Sequence, residues 1–162
     1  MIGVAVDPGD LPIAAEFFEL FKTPWEPVVA GRRYPVVISA DGREADINSD
    51  VLMLFSSNEH RSDVAAGVAV ESRSGPAEIS FDSQRFPIYG KLACFETASD
   101  SAALTSDGKP IEYRRACGNR TIWRIGYDLF SEARCLLGMG QPDADARVPT
   151  FEYHDAWLRR GL

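Results

Sequence analysis

A run of five apolar residues at positions 51–55 constrains the fold of this 162-residue chain more than any other feature of its sequence. The run reads Val-Leu-Met-Leu-Phe, and polar residues end it at Ser56. A strand that is apolar on both faces must be covered on both sides, which is typical of a central strand in a parallel sheet. A second apolar run occupies positions 2–6. We predict that the two runs are neighbouring or near-neighbouring strands of one mainly parallel sheet.

Two segments, residues 12–22 and 128–139, have the apolar spacing of helices that would cover this sheet. A shorter amphipathic helix is predicted over residues 150–160. Residues 103–127 contain two tight turns between strand-like runs, which is typical of an antiparallel meander. The sequence thus predicts one α/β domain over residues 1–162, with a mainly parallel sheet and an antiparallel C-terminal meander.

The charge balance argues against two classes of partner. The chain has 24 acidic and 17 basic residues, so its net charge is −7. Such a field repels nucleic-acid phosphates and anionic membrane surfaces, and we expect neither as a partner. The one concentration of basic residues comprises Arg114, Arg115, Arg120 and Arg124. We expect Glu112 or Asp128 to pair with some of them across a hairpin, and an acidic partner is the alternative.

The chain has three cysteines, Cys94, Cys117 and Cys135, an odd number with wide spacing. This pattern suits neither a disulfide framework nor a CxxC metal site, so we expect free thiols in a reducing compartment. The chain begins Met-Ile-Gly-Val-Ala-Val-Asp, without the basic segment and long apolar run of a secretory signal. These features predict a cytoplasmic location, and nothing in the sequence indicates a cofactor.

One stretch of the C-terminal half resembles part of a known family. Residues 118–130 (GNRTIWRIGYDLF) resemble the closing hairpin strand and helix start of class I glutamine-amidotransferase-like domains, in which a glycine turn precedes a strand ending in Gly and an aromatic residue. Further segments make this part of the chain similar to the accessory region N-terminal to bacterial polysaccharide-deacetylase-type domains. They are Ile88-Tyr89-Gly90, residues 136–142, Pro149-Thr150, His154 and Leu158-Arg159.

The resemblance implies a three-layer sandwich, flavodoxin-like or amidotransferase-like, and a role in bacterial polysaccharide metabolism. It also implies a protein partner or a fused polysaccharide-processing domain. The Asp/His metal-binding motifs of a deacetylase are absent from the sequence, so no activity is carried over. We therefore expect a non-catalytic accessory or interaction domain, with no catalytic residue and no metal site.

A cysteine-dependent hydrolase or amidase that uses Cys94 is one alternative. Amidotransferase chemistry needs a cysteine on a sharp strand-to-helix turn with small neighbours, whereas bulky Phe95 follows Cys94. The partner pattern would be His-x-Glu, but this chain offers Glu152-x-His154 in the reverse order. A Cys94 buried within a strand would remove this alternative.

A small-ligand sensor, for a sugar for example, is the other alternative. Asp7, Asn58 and Glu59 follow the two predicted central strands, and ligands of open α/β sheets bind beside the carboxyl ends of the strands. These three residues are the predicted ligand contacts, although such side chains also cap helices. Glu59, His60 and Asp63 are spaced too loosely to predict a metal site.

Overall fold

The computed structural model describes residues 1–44, 46–96 and 102–162. Its strands are β1 (Ile2–Ala5), β2 (Trp25–Pro27), β3 (Arg33–Ser39), β4 (Asn48–Phe55), β5 (Ala69–Arg73), β6 (Ala77–Phe81), β7 (Gln84–Ile88), β8 (Leu92–Glu96), β9 (Thr105–Ser106), β10 (Lys109–Pro110), β11 (Glu112–Cys117) and β12 (Arg120–Ile125). Its α-helices are α1 (Leu11–Leu20), α2 (Arg61–Ala66), α3 (Leu129–Gly138) and α4 (Thr150–Leu158).

The largest sheet has six strands in the order β11-β12-β4-β3-β1-β2. All neighbouring pairs are parallel except β11 and β12, which form an antiparallel hairpin. The two apolar runs of the sequence lie in β1 and β4. They were predicted to be neighbours or near neighbours, and one strand, β3, lies between them. Both strands are therefore interior strands.

The helices α1, α3 and α4 pack against the same hydrophobic cluster. This cluster contains residues from each of them, such as Phe17, Phe130 and Trp157, together with Met53 and Phe55 of β4. A smaller hydrophobic cluster covers the other face of the sheet and is formed by strand and loop residues. Its members are Ala5, Tyr34, Val37, Ile47 and Leu52, and Val28 packs against them. The two faces of the sheet are thus covered in different ways.

The predicted flavodoxin-like or amidotransferase-like three-layer sandwich is wrong. The large sheet is mixed, and the residues between α2 and β11 form two further antiparallel sheets, with the strand orders β10-β9-β6-β7 and β5-β8. The sequence did not indicate the β6–β7 hairpin because its turn uses Asp82 and Ser83, both with positive φ, in place of glycine.

Gly126 joins the small β5–β8 sheet to the large sheet. Its carbonyl accepts the N–H of Ala93 at 2.7 Å, and its own N–H donates to the Ile111 carbonyl at 2.9 Å. A Cβ at position 126 would lie 2.0 Å from the Ala93 oxygen, so only glycine fits here. In the described part of the chain, no helix is long and apolar enough to cross a membrane.

Candidate functional site

A buried ion pair organises the carboxyl end of β4 and the start of α2. Arg124 on β12 and Asp63 on α2 are both fully buried, and the guanidinium Nε lies 3.0 Å from Asp63 Oδ1. The Tyr113 hydroxyl donates to the same oxygen at 2.6 Å. Burial lowers the pKa of Arg124, and the adjacent carboxylate opposes that shift. The arginine thus stays paired inside the protein.

The remaining Arg124 donors fix the loop that follows β4. Nη1 donates to the Ser56 carbonyl at 2.7 Å, and Nη2 donates to the Asn58 carbonyl at 2.6 Å. Because one planar guanidinium holds both carbonyls, the backbone of residues 56–58 has a fixed path. The loop that contains Asn58 and Glu59 is therefore anchored by the Arg124 side chain of the neighbouring strand β12.

A polar hollow of about 490 Å³ lies beside this loop. It is lined by Asp41, Gly42, Arg43, Glu44, Asp46, Glu59, His60 and Arg61. His60 shapes one wall, since its Nδ1 accepts the N–H of Ser62 at 3.1 Å and its Nε2 lies 3.1 Å from the Gly42 carbonyl. These contacts define an imidazole that carries its proton on Nε2 and caps α2.

The carboxylate of Glu44 is surrounded by guanidinium groups. Its side chain is 9% exposed, and nitrogens of Arg61, Arg115 and Arg120 lie 3.4, 3.6 and 3.7 Å from its oxygens. Arg115 also donates to Ser62 Oγ at 3.0 Å. The cluster therefore ties β11 and β12 to the loop after β3 and to α2. The three arginines compensate the charge of the buried Glu44 carboxylate.

The expectation that Glu112 or Asp128 would pair with the arginines of the hairpin is wrong. Arg124 pairs with Asp63, and the Arg114 guanidinium lies 3.7 Å from the centroid of the Trp123 ring. Glu112 accepts hydrogen bonds from the Trp123 indole and from the backbone N–H of Ala103 and Leu104. Asp128 caps α3 by accepting from two backbone N–H groups. The carboxylates of Glu112 and Asp128 thus accept hydrogen bonds mainly from backbone N–H groups and do not pair with the arginines of the hairpin.

The three predicted ligand residues are exposed and lie at the carboxyl ends of β1 and β4. Only Glu59 is among the residues that line the 490 Å³ hollow. The strand β3 separates Asp7 from Asn58, and the contacts of Asn58 with Arg124 and Ser56 involve its backbone. A ligand role for Asp7, Asn58 and Glu59 stays a prediction.

Cys94 lies inside β8, is 1% exposed, and has a pKa that burial raises. It borders a hollow of about 430 Å³ together with Glu71 and Lys109. Neither histidine is placed to activate it, because His60 contacts Gly42 and Ser62, while Nδ1 of His154 lies 3.0 Å from the hydroxyl of Tyr127. A thiol in this setting is mostly protonated near neutral pH, which argues against the cysteine-hydrolase alternative.

Protein donors occupy the other buried carboxylates of the described residues. Glu132 accepts the N–H groups of Tyr89 and Gly90 at 2.9 and 2.7 Å, and Asp155 pairs with Arg159 at 2.6 Å. Burial raises the pKa of Glu132. Across residues 1–44, 46–96 and 102–162, no group of three or more His, Cys, Asp or Glu side chains is arranged to hold a metal ion.

Sequence reasoning missed α2 and the Asp63–Arg124 pair. Residues 56–63 contain no apolar periodicity that would indicate the start of a helix. The available signal was the spacing of His60 and Asp63, which form a reciprocal capping box, but histidine is not among the residues that usually cap helices. The partner of Asp63 lies 61 positions along the chain, where no local pattern indicates it.

The backbone of the chain is similar to parts of known glycosidases. The exo-β-1,4-mannosidase of Opitutaceae bacterium strain TAV5 matches 96% of this chain and 35% of its own length, with a TM-score of 0.65 and 12% identity. A GH42 β-galactosidase of G. stearothermophilus matches 92% of this chain and 30% of its own, with a TM-score of 0.54 and 7% identity. The β-galactosidase of Bacillus circulans sp. alkalophilus matches 85% of this chain and 31% of its own, with a TM-score of 0.51 and 8% identity.

This chain spans about a third of each of these proteins. No protein-family model and no curated protein matches its sequence. At such low identity the likeness shows a shared fold and nothing more. The fold of this chain is thus one that also forms part of glycosidases.

The resemblance to glutamine-amidotransferase-like domains and to the accessory region of polysaccharide-deacetylase-type proteins is wrong, because the similar structures are glycoside hydrolases. The Gly126-Tyr127 pattern that suggested it has a local cause. Gly126 is required by the close approach of Ala93, and the Tyr127 ring is fully buried against Phe55. The glycine and the aromatic residue at positions 126 and 127 are therefore explained by local packing in this fold.

Proposed function

We propose that this chain is a non-catalytic accessory domain that acts in polysaccharide metabolism next to a glycosidase domain. The observation that carries the proposal is the fold match, which covers almost all of this chain but only about a third of each glycosidase. The partner would be a fused or separate carbohydrate-processing domain. A cytoplasmic location, indicated by the free cysteines, remains part of the proposal.

The buried carboxylates support a non-catalytic role. Glycoside hydrolysis generally uses two carboxyl groups that face the glycosidic bond, one of which must be free to transfer a proton. Here Asp63, Glu112 and Glu132 accept hydrogen bonds from the protein itself, and Glu44 is enclosed by arginines. Each of them is occupied in stabilising the fold.

Assays of hydrolysis test the proposal. The purified chain is incubated with aryl β-D-mannoside and aryl β-D-galactoside, and with glutaminase, esterase and deacetylase substrates. We expect no turnover above the rate without protein, while the Opitutaceae mannosidase serves as the positive control. Turnover that persists through purification and is lost in a Glu44→Gln variant would overturn the non-catalytic role. Turnover lost only in Cys94→Ser would favour the cysteine-hydrolase alternative.

A ligand-sensing role is the second candidate, and the 490 Å³ hollow beside the anchored loop favours it. Glu59 and His60 line this hollow, and Glu59 is exposed to solvent. A Glu59→Ala variant with unchanged stability but weaker binding of a small ligand would support this candidate.

A further inference from the structure

An apolar run that leads into β5 lies largely at the surface. Residues 64–70 read Val-Ala-Ala-Gly-Val-Ala-Val, seven positions without a polar side chain. Val64 is 67% exposed on α2, and Ala69 is exposed at the start of β5. Val68 and Val70 are only half-buried against a small hydrophobic cluster. A contiguous exposed apolar run of this kind marks a surface suited to contact with another protein surface.

The strand β5 also has an open hydrogen-bonding edge. It pairs with β8 on one side, and no strand of the described residues pairs with its other side. Ser72 lies opposite Ala93 in this pair, but the Ala93 N–H donates to Gly126, away from β5. Opposite residues of antiparallel strands alternate between hydrogen-bonded and non-hydrogen-bonded pairs. The backbone N–H and C=O groups of Ser72 and Val70 therefore both point away from β8.

The other outer strands of the described sheets carry features that oppose the addition of a strand. The short strands β2 and β10 contain Pro27 and Pro110. The strand β7 contains Pro87 and contacts α4, and β11 carries the exposed Arg114. Proline removes a backbone donor, and a charged side chain at an edge disfavours pairing. The apolar start of β5 has neither feature.

The charged residues beside β5 compensate one another. Glu71 pairs with Arg73 and Lys109, and Arg73 also pairs with Asp107 at 3.1 Å. The four side chains carry two positive and two negative charges. This part of the surface therefore does not repel an identical surface, although the whole chain is acidic.

An antiparallel copy of β5 matches this edge by two-fold symmetry. With the axis at Val70, the N–H of each Val70 would donate to the Val70 carbonyl of the other copy. Glu71 would lie opposite Ala69, so no like charges would face each other, whereas an axis at Glu71 would place two carboxylates opposite each other. We infer that the chain forms a two-fold symmetric dimer in which the β5 strands of two copies pair antiparallel. This inference does not depend on the proposed function.

Sedimentation equilibrium measures the association of the unaltered chain. One chain has a mass of 17.8 kDa. We expect the average mass to rise toward twice that value as the concentration increases to about 1 mM, because an interface of a few strand residues binds weakly.

A proline at position 70 tests the edge directly. Val70→Pro removes the outward N–H and leaves the hydrogen bonds between β5 and β8 in place. It should weaken the association at least about tenfold, because both interchain hydrogen bonds of Val70 are lost.

Ala116→Pro is the matched control on a different outer strand. Ala116 is exposed on β11, and the alternation counted from the hydrogen bond between Gly126 and Ile111 points its N–H outward as well. This variant should associate as the unaltered chain does.

Hydrogen exchange of the unaltered chain gives a second measurement that does not depend on the folding of a variant. The Val70 amide should exchange more slowly as the protein concentration rises, because the dimer removes it from solvent. The exchange of the Ala116 amide should not change with concentration.

A monomer at every concentration would overturn the inference and leave β5 open to a strand of another protein. A dimer that persists in Val70→Pro would also overturn it, and loss of that dimer in Ala116→Pro would place the interface on β11. Either result would leave the proposed function standing, because the hydrolysis assays test that function separately.

Discussion

Asp63 is the residue on which the polar interior of the protein depends most. Its two carboxylate oxygens accept from the Arg124 guanidinium, the Tyr113 hydroxyl at 2.6 Å and the His60 N–H at 2.7 Å. These donors come from β12, β11 and the start of α2. A buried pair is costly to break because the remaining charge has lost its water and its partner.

Replacement of Asp63 by asparagine keeps the size of the side chain and removes its charge. We expect Asp63→Asn to lower the free energy of unfolding by about 3 kcal/mol or more, because Arg124 is left charged and buried. Asp107→Asn is the control, since Asp107 is 84% exposed in its pair with Arg73 and should contribute below about 1 kcal/mol. Urea denaturation measures both. Equal small effects would show that the buried pair does not stabilise the fold.

His154 gives the stability of the protein a pH dependence. It is fully enclosed beside Tyr127 and Phe86, and burial lowers its pKa from 6.5 to about 3. Between these two values the unfolded chain takes up a proton that the folded chain does not, so stability is lost as the pH falls below 6.5. Above 6.5 both states are neutral and the effect disappears.

A titration of unfolding free energy against pH tests this effect. The unaltered chain should lose up to about 1.4 kcal/mol per pH unit below 6.5 relative to His154→Gln, which does not titrate. The variant will be less stable at neutral pH, so the slope is the quantity to compare. Parallel pH curves for the two proteins would mean that His154 is not held neutral in the folded state.

At the scale of secondary-structure elements, Gly126 and Gly138 are both flanked by apolar residues in the sequence, but they have different structural roles. Gly126 carries the contact between β8 and the end of β12, where a Cβ would collide with the Ala93 carbonyl. Gly138 ends α3, and a Cβ there would meet no atom within 4 Å. Only the packing of the neighbouring sheet distinguishes the two.

Alanine substitution separates these roles. Gly126→Ala should destabilise the protein by about 3 kcal/mol, because the backbone of β8 must move away. Gly138→Ala should instead stabilise it by about 0.5–1 kcal/mol, since glycine weakens helices. Thermal unfolding measured by circular dichroism gives both values. A tolerated Gly126→Ala would show that β8 is loosely attached to the large sheet.

Over the whole molecule, the regular apolar patterns were predictable and the long-range contacts were not. The runs in β1 and β4, the helical spacing in α1 and α3, and the β11–β12 hairpin with its glycine turn were all visible in the sequence. The β6–β7 hairpin depends on a turn without glycine, and the two-stranded sheet depends on the pairing of β5 with β8, which are distant in the sequence. The polar hollow around Glu44 depends on arginines from β11 and β12, which only the folded chain brings together.

The placement of the three thiols gives the whole chain a definite order of reactivity. Cys117 is half-buried at the end of β11, whereas burial raises the pKa values of Cys94 and Cys135. Under native conditions we expect iodoacetamide to modify Cys117 first and Cys94 last, as measured by peptide mass spectrometry. Rapid labelling of Cys94 near pH 6 that is abolished by His154→Ala would contradict the structure and revive the hydrolase alternative.

The junction at Gly126 also determines how the protein opens. The Ala93 amide hydrogen bonds across from the small sheet to the large one, so it reaches solvent only when the two separate. If the sheets form one cooperative unit, hydrogen exchange at Ala93 proceeds through global unfolding and as slowly as at the centre of β4. The exchange rate of this single amide therefore reports whether the protein unfolds in one step or two.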